Sequence, residues 1–282
     1  MFKPVLLIAV AALIFSACSP SSDKNTSAPV KEQGNGRCIP ESQLLAQGII
    51  GGKRVEPTDA DAKTVAMILS TVSENDNGIC TAALIRPNVL LTAAHCIKAT
   101  VNKTIVVFHS AISCESGFDV QTHAQRVVKT IVHEGYSPSA GTKEGIDDIA
   151  LVFLETSAPA GYPIYKIADP AAVDNSRLYF YGYGVTGSAE AGSGILRKAS
   201  FAKEDFLIEK DIKKIRVTQD KGVGICYGDS GGPGLVNVNG ESQILGVNSF
   251  VRGSEADTCN GTSTLALASA YREWINNKIK SN

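Results

Sequence analysis

The chain has no excess of either charge. Lys and Arg total 27, Asp and Glu total 28, and the net charge is -1. That balance gives no general electrostatic drive toward nucleic acid, although a local basic patch is still allowed. Charged residues make up only 20% against 44% apolar, which is globular composition and excludes an extended disordered chain. No segment after the extreme N-terminus is apolar for long enough to span a bilayer, and no internal repeat stands out. The remaining room is for one large domain or two small ones in 282 residues. What the chain does contain is seven cysteines. The number is odd, so one is expected to have a different fate from the rest.

The first residues read as an address. Lys3 supplies positive charge, and residues 5–15 are uninterrupted apolar. That run is too short for a spanning helix and suits the apolar core of a secretory signal. Small residues, Ser16 and Ala17, precede Cys18, and the stretch Ile14-Phe15-Ser16-Ala17-Cys18 resembles a bacterial lipobox. The resemblance implies a signal peptide over 1–17, lipidation of Cys18, and an exported protein at the outer membrane or cell surface, or one released from there as a secreted enzyme after activation. Phe15 departs from the aliphatic residue usual there. The alternative is an ordinary signal cut near Ala17, with Cys18 free or paired. Residues 19–36 are polar, rich in Ser, Pro, Gly and Lys, and have no apolar period; they read as a flexible tether.

From Ile49 onward, short apolar runs alternate with Gly, Pro, Asn and Asp. Strand candidates are 65–69, 89–91, 105–108, 149–154, 178–181 and 244–247, a pattern that predicts an all-β sandwich or pair of barrels. The end differs. Tyr271, Trp274, Ile275, Lys278 and Ile279 fall at helical spacing, which predicts a C-terminal helix with one largely apolar face. Ser269 is its expected cap, with Trp274 and Ile275 docking on the barrels.

Three segments carry chemistry: Leu91-Thr92-Ala93-Ala94-His95-Cys96, Asp147-Asp148-Ile149-Ala150-Leu151, and Cys226-Tyr227-Gly228-Asp229-Ser230-Gly231-Gly232-Pro233. A serine hydroxyl is a poor nucleophile at neutral pH and needs a base within reach. Imidazole can take that proton and return it to a leaving amine, and a buried carboxylate can fix the imidazole tautomer. In this order the segments resemble those of the trypsin and chymotrypsin family of serine proteases, over nearly the whole chain from Ile49. The resemblance implies two packed antiparallel six-stranded β-barrels, the active site between them, and a C-terminal α-helix. It implies Ser230 as nucleophile, His95 as base, Asp148 as orienter, and the amides of Gly228 and Ser230 as oxyanion hole. Asp147 is the competing carboxylate; Asp148 is preferred because it directly precedes Ile149-Ala150-Leu151, which leaves Asp147 pointing to solvent. His109, His123 and His133 read as structural. No organic cofactor or metal is implied for catalysis, and a structural calcium ion is left open. The partners implied are protein or peptide substrates, with no nucleic acid, and membrane only through the lipid anchor.

Ile49-Ile50-Gly51-Gly52 resembles the family's mature N-terminus. The domain is therefore expected to span 49–282, with 18–48 a lipid-anchored linker and pro-segment. The resemblance implies a zymogen in which the freed Ile49 amine pairs with Asp229. Gln47-Gly48 precedes the expected cut where the family usually has Arg or Lys, so the activator is either the enzyme itself or a protease that does not need a basic residue. The same resemblance places the primary pocket at Gly224, Ile225, Ser249, Phe250 and Val251, with Thr262 or Ser263 as the other wall. Gly224 brings no charge and Val251 narrows the pocket, which implies cleavage after small or aliphatic residues. Glu255 or Asp257 reaching the pocket would instead restore cleavage after Lys or Arg. The reading from a different class is a catalytically inactive surface module that holds peptides in the old cleft.

Family resemblance pairs Cys80 with Cys96 and Cys226 with Cys259. With Cys18 lipidated, Cys38 and Cys114 are left as a pair. Zinc is a poor alternative, because the spacings do not form a ligand set.

Overall fold

The computed structural model describes residues 38–39, 49–73, 76–137, 147–173, 177–185, 193–253 and 259–282. The expected signal peptide, Cys18, the linker, Gln47-Gly48, Glu255 and Asp257 lie outside the described residues.

The first half forms a closed barrel. Its strands are β2 (Ala66–Ser73), β3 (Asp76–Arg86), β4 (Val89–Thr92), β5 (Thr104–Val107), β6 (Ala124–Val132) and β7 (Ala150–Leu154), paired in the order β2-β3-β4-β7-β6-β5. Every residue of β4 and β7 is buried, and both are short continuous apolar runs, as a strand covered on both faces requires. A single helical turn, α1 (Val120–His123), enters β6; the Asp119 carboxylate caps it by accepting from the amides of Gln121 and Thr122.

The second half supplies β8 (Lys166–Ile167), β9 (Leu178–Gly182), β10 (Arg197–Phe201), β11 (Phe206–Glu209), β12 (Lys214–Thr218), β13 (Pro233–Val238), β14 (Glu241–Gly253) and β15 (Gly261–Leu267). With β1 (Lys53–Arg54) they form a nine-stranded sheet ordered β1-β10-β9-β13-β14-β15-β12-β11, while β8 pairs with β14. The stretch β10-β9-β13-β14-β15-β12 is the second lobe of an all-β, two-barrel architecture. β12 alternates between buried and exposed positions, the mark of a strand with one wet face. Inside this lobe Phe180 meets Phe201 edge to face at 5.3 Å, packed with Ile215, Leu245 and Leu265.

The C-terminal helix α2 (Arg272–Lys280) starts later than its sequence suggests. Ser269 lies inside a preceding 3₁₀ turn, Ala268–Tyr271, and Tyr271 takes the cap position without a side-chain cap. Ile275 is buried in the core shared by the two lobes, and Trp274 packs only partly against it. The Trp274 indole N–H donates to Glu134 at 2.7 Å, so its polar edge is satisfied at the surface. No helix among the described residues is long and apolar enough to cross a membrane.

Three disulfides staple the chain: Cys38–Cys114, Cys80–Cys96 and Cys226–Cys259. Bonds of this kind persist in oxidising, extracytoplasmic compartments. The first is reinforced by backbone pairing. Ile39 N–H donates to Ile112 at 3.1 Å, and Cys114 N–H donates to Ile39 at 3.0 Å. Residues 38–39 are thereby fixed to a loop of the first barrel although they precede Ile49.

Candidate active site

His95 sits in a 3₁₀ turn, Ala94–Cys96, that follows β4 at once. The Cys80–Cys96 bond pins that turn to β3. Asp148 lies just before β7 and is 4% exposed. Its Oδ2 is 2.8 Å from His95 Nδ1, its Oδ1 accepts the His95 backbone N–H at 3.0 Å, and Oδ2 also accepts Ser249 Oγ–H at 2.5 Å. Burial works against charge on Asp148, but the hydrogen bonds and charge of His95, together with Ser249, outweigh it and hold the carboxyl below its ordinary value. Contact from a carboxylate at Nδ1 leaves the proton on that nitrogen and a lone pair on Nε2.

Asp147 does not point to solvent. Its backbone is in the left-handed region at φ 49°, which turns the side chain back toward the C-terminal segment. There Oδ1 accepts from Tyr271 Oη at 3.0 Å and Lys213 Nζ at 3.2 Å, and Oδ2 lies 3.8 Å from His133 Nδ1. The two adjacent carboxylates are thus separated by environment: Asp148 faces His95, and Asp147 anchors the entry to the last helix.

The segment 226–232 is held from both lobes. From the first, Thr81 N–H donates to the Ser230 carbonyl at 2.8 Å and Thr81 Oγ–H donates to the Gly228 carbonyl at 3.0 Å. From the second, Asn248 Nδ2–H donates to the Asp229 carbonyl at 3.0 Å, and Gly231 N–H donates to the Asn248 carbonyl at 2.8 Å. With these carbonyls engaged from behind, the chain is fixed in a tight turn. Gly228 and Gly231 adopt φ of 92° and 78°, conformations costly for any residue with a Cβ. A Cβ on Gly228 would also come within 2.8 Å of the Gly184 backbone, and one on Gly231 within 2.5 Å of the Thr81 carbonyl.

Asp229 is wholly buried. Its Oδ1 accepts Gly184 N–H at 2.8 Å and its Oδ2 accepts Cys226 N–H at 2.9 Å. Burial pushes its pKa up to about 7, against the lowering effect of those two amides and of the Arg197 charge. Gly182 and Gly184 leave the space it occupies, since a side chain at either would collide with its carboxylate. Ile49 is fully buried, and Ile50 pairs with Gly224, whose N–H donates to the Ile50 carbonyl at 3.0 Å.

A cleft of about 450 Å³ brings His95, Asp148, Gly228 and Ser230 together at the junction of the two lobes. Ile225, Ser249, Phe250 and Val251 line the same cleft. Gly224 and Ser263, also expected in the pocket, are buried and are not among the residues that line the cleft; Ser263 pairs with Val251 across the sheet. Cys80, His95 and Cys96 gather their ligand atoms within 4.8 Å. The two sulfurs are bonded to each other, so the group offers an imidazole without a thiolate.

Thr81 and Asn248 hold this site and carry no motif that marks them beforehand. Gly182-Tyr183-Gly184 did offer a signal, two glycines bracketing one aromatic, and their use is to make room for Asp229.

The family model described as Trypsin matches residues 49–275. Chymotrypsin-like elastase family member 1 of the dog (Canis lupus familiaris) is 30% identical over 217 residues, covering 72% of this chain and 82% of its own length. The human protein of the same name matches with the same identity and coverage, 30%, 72% and 82%. Mouse (Mus musculus) neutrophil elastase is 23% identical over 245 residues, covering 84% of this chain and 85% of itself. A match over residues 49–275, laid on a fold whose lobes meet at this cleft, places the chain in the trypsin family: it is a serine endopeptidase, a hydrolase acting on protein or peptide substrates.

Proposed function

We propose that the enzyme cleaves peptide bonds after small or aliphatic residues through a Ser230–His95–Asp148 triad. The observation that carries the triad is Asp148 on His95 Nδ1 at 2.8 Å, with Ser230 lining the same cleft. Ser230 Oγ attacks the scissile carbonyl carbon and passes its proton to His95 Nε2. The resulting oxyanion is taken by the amides of Gly228 and Ser230. Collapse breaks the C–N bond, His95 returns the proton to the leaving amine, and the acyl group stays on Ser230 until water, activated by the same imidazole, releases it. Asp148 keeps Nδ1 protonated and stabilises the imidazolium.

Two features support the small-residue preference. Among the described residues, Ile225 and Val251 line the cleft and its one lining carboxylate, Asp148, is engaged by His95 and Ser249, so a buried Lys or Arg would meet apolar surface there. The relatives at 30% and 23% identity bear the name elastase. The test is a peptide library digested by the mature enzyme and read by mass spectrometry. Cleavage after Ala, Val or Gly is the expected result. Cleavage after Lys or Arg refutes the specificity, and no cleavage with no labelling by a fluorophosphonate favours the inactive binding module.

The reading includes a zymogen cut before Ile49, by the enzyme itself or by a separate protease. In the uncut chain Asp229 is a buried carboxyl raised to about 7; a freed Ile49 ammonium would add a second cation to the Arg197 charge that already acts on it. Cys38 precedes that cut and Cys114 follows it, so the bridge would keep the pro-segment, and a lipid on Cys18, attached to the mature enzyme. We place the protein at the outer membrane or cell surface on that basis.

Asp229 makes the uncut form pH-sensitive. Its pKa is 3.8 in a reference carboxyl and about 7 when folded. Between these values the folded chain holds a proton that the unfolded chain has released. Its contribution is therefore full below about pH 4 and is lost as pH rises toward 7. Thermal unfolding of uncut Ser230→Ala should show this loss, and the double variant with Asp229→Asn should lack it. Equal pH slopes for the two would contradict the assignment.

A further inference from the structure

Behind the cleft lining lies a polar side chain that the reaction does not use. Gln219 follows β12 directly and is 2% exposed. Its amide oxygen accepts the Ile225 N–H at 2.8 Å. Its amide nitrogen donates to the Cys259 carbonyl at 2.8 Å and to the Ile225 carbonyl at 3.2 Å. Its own N–H donates to the Gly261 carbonyl at 2.7 Å. One side chain thus ties together the segment before the nucleophile, the Cys226–Cys259 bridge and the start of β15. The Ile225 N–H needs an acceptor and the two carbonyls need donors, so the orientation of the amide is fixed by its partners.

The same side chain fills the space that a residue at 224 would otherwise use. A Cβ on Gly224 would come within 2.5 Å of the Gln219 amide nitrogen and 2.7 Å of its amide carbon. The absence of a side chain at 224 is therefore not an open depth waiting for substrate; Gln219 occupies it. Across the sheet, Val217 pairs with Ser263 and Ser263 with Val251. Gln219 stands two residues after Val217, one step beyond that row, where its backbone meets Gly261 and Gly261 pairs with Gly253.

We propose that Gln219 backs the floor of the primary pocket from beneath Ile225 and sets its depth, a specificity-determining role that rests on the small-residue reading above. Its polar atoms are all engaged with backbone, so it presents no unpaired charge or donor to a substrate side chain. Substrates whose side chain ends above Ile225 fit, and longer ones meet a packed, hydrogen-bonded amide. The chemistry recognised is a short aliphatic side chain, from Ala to Val.

The experiment compares kcat/KM for matched peptide substrates with Ala or Phe before the scissile bond, in mature wild type and Gln219→Ala, each corrected for active sites by titration. Removing the floor should raise the Phe-to-Ala ratio by roughly 10-fold or more, the scale of pocket discrimination over a few methylenes. A residue that merely braced the loop would lower both substrates alike, and an unchanged ratio overturns the proposal. Gln219→Asn, which keeps the amide on a side chain one methylene shorter, reads the same question if Gln219→Ala fails to fold. It should raise the Phe-to-Ala ratio in the same direction, and an unmoved ratio in a folded, active-site-titrated enzyme overturns the proposal. Wild-type cleavage after Lys or Arg overturns the small-residue reading and this floor with it. Wild-type cleavage after Ala with an unmoved ratio overturns the floor alone.

Discussion

Replacing Ser230 by Ala is expected to lower kcat by roughly a million-fold, the scale of losing the nucleophile in a concerted triad. The residual rate would come from substrate binding and from the amides of Gly228 and Ser230, which survive the substitution. The fold should survive too. Ser230 is held through its backbone carbonyl, which accepts from Thr81 N–H at 2.8 Å, so loss of Oγ removes no bond that fixes the loop. Cut before Ile49 by an added protease, the variant should unfold at nearly the temperature of the equally cut wild type while its turnover of an Ala-containing peptide falls to background. A loss smaller than about 100-fold would mean that another group performs the attack.

Asp148→Asn should be the second largest effect, about 10⁴-fold in kcat at neutral pH. Asparagine keeps the shape and can still accept Ser249 Oγ–H, but nothing then forces the proton onto His95 Nδ1. The neighbouring residue is the control. Asp147 contacts Tyr271, Lys213 and His133 rather than His95, so Asp147→Asn should change kcat by less than about threefold and act on stability instead. Steady-state kinetics beside thermal unfolding separate the two variants. Equal kinetic losses would place both carboxylates in the catalytic machinery.

The contrast between these neighbours shows how far the sequence reaches. Asp148 was legible because its order and its position before an apolar run match a pattern. The surroundings of Asp147 were not, because they depend on a left-handed backbone turn and on Tyr271, which lies 124 positions away. The strands were legible for the same local reason as Asp148: 89–91 and 149–154 are continuous apolar runs, and both are fully buried strands. The start of the last helix was not. Ser269 has the chemistry of a cap, but the chain leaves β15 in a 3₁₀ turn that takes up Ser269, so the helix begins only at Arg272 with Tyr271 at the cap position. The disulfide Cys38–Cys114 followed from leaving Cys18 aside, whereas the backbone pairing of Ile39 that accompanies it had no sequence signal. The surroundings of Gly224 were the least legible feature. Gly224 read as an uncharged part of the pocket, but a side chain there would collide with Gln219, which comes from just after β12. Packing of this kind is decided by residues distant in sequence, and no local pattern encodes it.

The central claim is that Ser230 is an activated nucleophile. The most direct test is to treat the folded chain, cut before Ile49, with a fluorophosphonate and to map the adduct by peptide mass spectrometry. One covalent adduct on Ser230 is expected in the wild type, and its loss in His95→Ala, where the hydroxyl remains but its base is gone. No adduct in a folded, cut chain would contradict it, as would equal labelling without His95.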